Sequence, residues 1–178
     1  MALSTRADFE RLVLPHLDAA HNLARWLVRD ATMAEDVVQD AAMRALTYYS
    51  SYRGGDVRAW LLRIVRNTAY DALSARKRTA SANLGDQDLA GDGPALQVPD
   101  GADDPEMALN GCERSAELAA ALAALPAELR ECLVLRELEE LSYKDIAHVT
   151  GVPVGTVMSR LWRARRALMR GRLEREQA

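Results

Sequence analysis

Reactive side chains are sparse in this 178-residue chain. The two cysteines, Cys112 and Cys132, have no CxxC spacing, and His16, His21 and His148 are scattered. Neither a disulfide framework nor a zinc or other metal site is signalled. No Cys/His pair and no glycine-rich phosphate loop appears either, so the sequence carries no enzyme signature and calls for no cofactor. Aromatics are few, with a single Phe, while Ala, Leu, Arg and Glu are abundant; this favours helices over sheets and an all-α fold. No segment reaches the roughly 20 apolar residues that cross a bilayer, and no charged start leads into an apolar run at the N-terminus, so a cytoplasmic protein without membrane insertion is expected. The length suits one domain or two small ones.

Charge is present but unevenly spread. Between Thr79 and Gly111 stand seven acids (Asp86, Asp88, Asp92, Asp100, Asp103, Asp104 and Glu106) and no Lys or Arg. Without those seven, the net −3 of the chain becomes +4 on the rest. The same stretch is rich in Gly, Pro, Asp and Ala and has no sustained periodicity, which reads as a flexible linker. Its acids serve solubility or mimic nucleic acid. Two basic helical units joined by an acidic tether is the expected architecture.

The most ordered pattern lies between Ser142 and Leu168. Ser142 and Asp145 have the spacing of a helix start, and Ile146, Ala147 and Val149 then fall toward one side. Gly151 is suited to the left-handed residue that ends a helix, and Pro153 to the start of the next. In that next helix Val157, Leu161, Ala164 and Leu168 recur at three- and four-residue intervals, leaving Ser159, Arg160, Arg163, Arg166 and Arg170 largely on other faces. From Thr156 to Arg175 seven arginines face the single acid Glu174. A solvated amphipathic pair would explain the charge alone. Cap, small residue, glycine turn and cationic second helix agree instead on a helix-turn-helix whose second helix enters a major groove.

The N-terminal part opens with an apolar stripe, Phe9, Leu12, Val13, Leu17, Ala20, Leu23, Ala24, Leu27 and Val28, which Pro15 begins or kinks. Thr32 and Glu35 have capping-box spacing and predict a second helix with Val37, Val38, Ala41, Ala45 and Leu46 facing inward. Its other side carries Asp36, Gln39, Asp40 and Arg44, by spacing alone a solvated face more readily than a docking surface. Tyr48, Tyr49 and Tyr52 then lead through Arg53, Gly54 and Gly55 to Asp56, a predicted cap for a helix with Trp60, Leu61, Ile64, Val65, Ala69, Ala72 and Leu73 on its buried side. Trp60 sits on the apolar stripe and reads as core. The loop, with the cations Arg58, Arg63, Arg66, Arg76, Lys77 and Arg78 beyond it, has the makings of a single-strand base site.

Taken in order, AEDVVQDAAMRAL (34–46), YRGGDVRAWLLRIVRNTAYDALSARKR (52–78), the acidic linker and LAALPAELRECLVLRELEELSYKDIAHVTGVPVGTVMSRLWRARRAL (122–168) resemble an RNA polymerase sigma factor of the extracytoplasmic-function (ECF) type, within the sigma-70 superfamily. The resemblance spans nearly the whole chain. It implies region 2 over residues 1–78, the linker over 79–111 and region 4 over 112–178. It implies a non-catalytic subunit that binds core RNA polymerase, recognises a dedicated class of promoter DNA, helps melt it and initiates transcription. Asp36, Gln39, Asp40 and Arg44 become contacts for the β′ clamp helices, reversing the reading from spacing. Tyr52, Arg53, Asp56, Arg63, Arg66, Asn67, Arg76 and Lys77 become minus-10 contacts, the loop taking up a flipped base. Thr156, Met158, Ser159, Arg160, Trp162, Arg163 and Arg165 become minus-35 contacts, with region 4 also meeting the β flap. Met158 departs from the Lys or Arg often found at its position. An anti-sigma factor is implied as a further partner, and a sigma mimic that sequesters such a factor is the alternative.

Overall fold

In a computed structural model the described residues are 2–83 and 116–176, with side chains described for 6–83 and 116–172. All regular structure among them is helical. Eight helices follow in order: α1 (Ala2–Val13), α2 (Leu17–Val28), α3 (Ala31–Tyr48), α4 (Val57–Asn83), α5 (116–124), α6 (Ala127–Glu137), α7 (Tyr143–Thr150) and α8 (Val154–Glu176). Short 3-10 turns at Leu14–His16 and Tyr49–Ser51 join α1 to α2 and close α3.

Pro15 does end a helix: with no N–H and a fixed φ it turns the single apolar stripe into α1 and α2. Helix α3 begins earlier than the spacing of Thr32 and Glu35 predicts. Extended Asp30 is the N-cap, its carboxylate accepting from the Met33 N–H at 3.0 Å, so Thr32 lies inside the first turn. Val37, Ala41 and Ala45 are buried as expected, whereas Val38 is half-buried and Leu46 exposed, because the inward stripe is narrow. Asp56 caps α4, its Oδ1 accepting from the N–H groups of Arg58 and Ala59. Helix α4 continues five residues past the domain end expected at 78, since nothing from Thr79 to Asn83 breaks it, and the Thr79 hydroxyl donates back to the Ala75 carbonyl at 3.1 Å. The rest of the expected acidic linker, and Cys112, lie outside the described residues.

Helices α2, α3 and α4 pack on one another as the first lobe, and α6, α7 and α8 form the second. The lobes are in contact: α2 lies on α6, and α4 lies on α7. One continuous apolar core results, running from Leu23, Leu61, Leu62 and Val65 to Leu135, Ile146, Val157 and Leu161. Each of these side chains is fully buried or nearly so, and each contributes about 1.5–3 kcal/mol by leaving water.

Candidate nucleic-acid and polymerase interfaces

The helix-turn-helix is built as its residues dictate. Ser142 caps α7 by accepting from the Asp145 N–H at 3.1 Å. Gly151 takes φ +71° and donates its N–H to the Ala147 carbonyl at 2.9 Å, closing α7 in the left-handed conformation that a side chain disfavours. Pro153 then accepts from the N–H groups of Thr156 and Val157, starting α8. Val157, Leu161 and Ala164 are buried, which turns Ser159, Arg163 and Arg166 to the solvent side. Met158 and Trp162 are 53% and 59% exposed. The Arg166 guanidinium stacks over the Trp162 ring with its carbon 5.0 Å from the centroid. Thr156 is half-buried.

Two arginines of this helix are engaged elsewhere. Arg165 pairs with Glu137 of α6 at 2.6 Å, which holds its guanidinium above the usual range. Arg160 is only 12% exposed and reaches back to Glu128 of α6 at 3.2 Å. It is also close to the buried Cys132, whose thiol burial pushes up and keeps protonated.

In the first lobe Tyr52 is half-buried, not free in its loop. Its ring lies 5.1 Å from Trp60 and 6.2 Å from Tyr49, and its hydroxyl donates to the Gly55 carbonyl at 2.6 Å. Gly54 and Gly55, at φ +90° and +101°, let the loop fold back on that hydroxyl. Trp60 is partly buried between Tyr49 and Tyr52 and packs against the core, as its place on the apolar stripe indicates. Arg53, Arg63, Asn67 and Lys77 are exposed, Asp56 is occupied as a cap, and Arg76 stands 3.7 Å from Asp30. On α3, Asp36, Gln39, Asp40 and Arg44 share one open face with Met43, itself 66% exposed. Arg44 is bonded to Asp71 at 2.9 Å, which raises its pKa.

Arg66 is drawn away from the other cations of α4. It pairs with Glu131 of α6, a carboxylate with no exposed surface, which also accepts from the Tyr70 hydroxyl at 3.4 Å. Burial pushes the Glu131 carboxyl up, against the opposing pull of Arg66 and Arg160. A second buried acid, Glu139, binds Arg58 at 2.5 Å and the Asn22 amide at 2.6 Å. The sequence reading missed this seam. Nothing in the spacing of Glu131 and Glu139 marks them out, and only their loss of exposure in the folded chain distinguishes them from the other acids of 128–140.

Two helical lobes, one with an aromatic loop leading into a cationic helix and one with a helix-turn-helix, are the two parts of a minimal sigma factor. Residues 12–79 match the family Sigma-70 region 2, and residues 115–168 match Sigma-70, region 4. RNA polymerase sigma-H factor of Pseudomonas aeruginosa is 38% identical over 165 residues, covering 90% of this chain and 83% of that protein. ECF RNA polymerase sigma-E factor of Escherichia coli K12 is 36% identical over 138 residues, covering 75% and 70%. The fold matches the sigma factor RpoE in its complex with the anti-sigma factor NepR from Bartonella quintana, with a TM-score of 0.71, 30% identity and coverage of 92% and 95%. It also matches CnrH in complex with the cytosolic domain of CnrY, at a TM-score of 0.62 and 25% identity. The chain belongs to the ECF sigma factors, non-catalytic initiation factors that direct RNA polymerase to promoters. No helix among the described residues is long and apolar enough to cross a membrane.

Proposed function

We propose that this sigma factor divides its work between three surfaces. The open face of α3, with Asp36, Gln39, Asp40 and Arg44, docks on the β′ clamp helices of core polymerase. The 52–56 loop and α4, with Tyr52, Arg53, Asp56, Arg63, Arg66, Asn67, Arg76 and Lys77, handle the minus-10 strand. Helix α8 reads the minus-35 duplex, and region 4 meets the β flap. Residues 1–78, extended by the end of α4, act as region 2; residues 112–178 act as region 4, and the acidic segment tethers them. The protein works in the cytoplasm, and its regulatory partner is an anti-sigma factor, as in the complexes of RpoE with NepR and CnrH with CnrY.

The observation that carries this reading is the division of α8 into a buried side, Val157, Leu161 and Ala164, and an exposed one, Ser159, Arg163 and Arg166, directly after a capped glycine turn. That is the form a major-groove helix takes, with cations for guanine edges and phosphates. Of its arginines, Arg163 is best placed, while Arg160 and Arg165 must first release Glu128 and Glu137. On α4, Arg66 must exchange Glu131 for DNA, so promoter engagement requires the lobes to part. Run-off transcription with core polymerase on a library of promoters tests the assignment. Transcripts should start downstream of a shared pair of elements; a chain that binds core yet selects no promoter would overturn it.

A further inference from the structure

Helix α8 has a second kind of exposed surface beside its cations. Met158 and Trp162 are four residues apart, hence one turn apart on the same edge of the helix, and both are more than half exposed. They adjoin Ser159, Arg163 and Arg166 on the solvent side, and one face of the Trp162 indole is covered by the Arg166 guanidinium. From Gly151 to Leu173 the sequence holds no acid. A surface that combines these two large apolar groups with the exposed cations Arg163 and Arg166 is complementary to a polyanion carrying apolar features. In a major groove only one base pair edge offers such a feature, the C5-methyl of thymine. One helical turn rises about 5.4 Å, and base pairs are about 3.4 Å apart, so the two side chains reach neighbouring or next-but-one positions.

We propose that Met158 and Trp162 read thymine methyl groups in the duplex element that α8 enters, so that this element contains one or two specified thymines beside the bases read by arginine. The proposal rests on the reading that α8 enters the major groove, and it adds a base identity to it. Arg163 and Ser159 supply hydrogen bonds and phosphate contacts; the apolar edge supplies discrimination that those polar groups do not.

The test uses holoenzyme assembled from core RNA polymerase and the full chain. Duplexes are first enriched from a library randomised across the minus-35 region. In an enriched duplex each thymine is then replaced singly by deoxyuridine, which keeps every hydrogen-bonding group and lacks only the methyl. Binding should weaken about three- to fivefold at one or two thymines, the size expected for one methyl group. Met158→Ala should abolish the sensitivity at one of these positions, Trp162→Ala at the other or at the same one. Enrichment with Met158→Arg should exchange the Met158-dependent thymine for guanine. Both side chains are exposed, so circular dichroism should be unchanged in all three variants. Equal binding of thymine and deoxyuridine at every position, in a duplex that is otherwise bound selectively, overturns the proposal and leaves the major-groove reading standing. Loss of core binding by Met158→Ala would also overturn it, by making the edge a protein contact. Failure to enrich any duplex overturns both.

Discussion

Arg163 and Arg160 differ by less than a turn of one helix, yet they have different surroundings. Arg163 is exposed, its Nε 3.4 Å from the Ser159 carbonyl, while Arg160 is packed against α6. Arg163→Ala should therefore weaken promoter binding by about 1–3 kcal/mol, the range for a bidentate contact with a base, and leave core binding intact. Paired gel-shift and core co-purification measurements check both halves of that statement. Tyr70 offers a second reading of its environment. Burial, then the charge of Glu131, push its hydroxyl up to about 12. Because the folded value exceeds the ordinary value of about 10, the protonated phenol contributes stability that is complete below pH ~10 and is lost as pH climbs through about 12. Phenolate absorbance followed through an alkaline titration should contain a late component that disappears in Tyr70→Phe.

At the scale of the element, α3 turns one side inward on Val37, Ala41 and Ala45 and leaves Asp36, Gln39 and Asp40 exposed on the other. Asp40 is exposed, and its negative charge, after that of Asp71, helps hold the Arg44 guanidinium protonated. Asp40→Lys should reverse the charge at the centre of that face and weaken co-purification with core polymerase. The thermal unfolding midpoint should hardly move, since exposed substitutions usually stay within about 0.5 kcal/mol. An unchanged complex would remove this face from the docking surface. The aromatic loop behaves differently as an element: Tyr49, Tyr52 and Trp60 are in mutual ring contact and Phe9 meets Tyr49 edge-on, so the loop that is proposed to accept a base rests on a packed base of its own. A flipped nucleotide costs a few kcal/mol to extrude, and a loop already held in shape adds little further ordering entropy to that.

For the whole molecule, the question is what the seam between the lobes does. Each buried acid of the second lobe sits on a cation of α4, and breaking a buried pair by removing one partner is costly. Since burial in the closed arrangement raises the Glu131 carboxyl above its ordinary range, closure takes up protons relative to separated lobes. The resulting contribution to closure is complete below the ordinary carboxylate range and fades as pH rises through the raised value. Energy transfer between dyes placed on the two lobes should therefore report a more closed chain on acidification. Glu131→Gln, which is neutral at every pH, should flatten that dependence; an unaltered pH profile in the variant would show that Glu131 does not govern it. Opening in the presence of core polymerase and promoter DNA should be visible with the same dyes.

Much of this protein is local and hence legible in order along the chain. Helices set by three- and four-residue apolar spacing, the break at Pro15, the caps at Asp56 and Ser142 and the left-handed turn at Gly151 depend on residues within a few positions of one another, where propensity and hydrogen-bond geometry decide. Asp30 rather than Thr32 took the cap of α3, because the choice between two nearby oxygen-bearing side chains depends on which residue the preceding turn leaves extended. The division of α8 into buried and exposed sides was also readable, since one helix repeats it. What spacing could not show is which arginines of that helix remain open and which acids are buried. Arg160 meets Glu128, Arg66 meets Glu131, and Arg58 meets Glu139 across 32, 65 and 81 positions of sequence. A charged residue reads the same in sequence whether it faces water or a partner, and only the packing of α2 and α4 on α6 and α7 decided which of them would lose their water and hold the two lobes together.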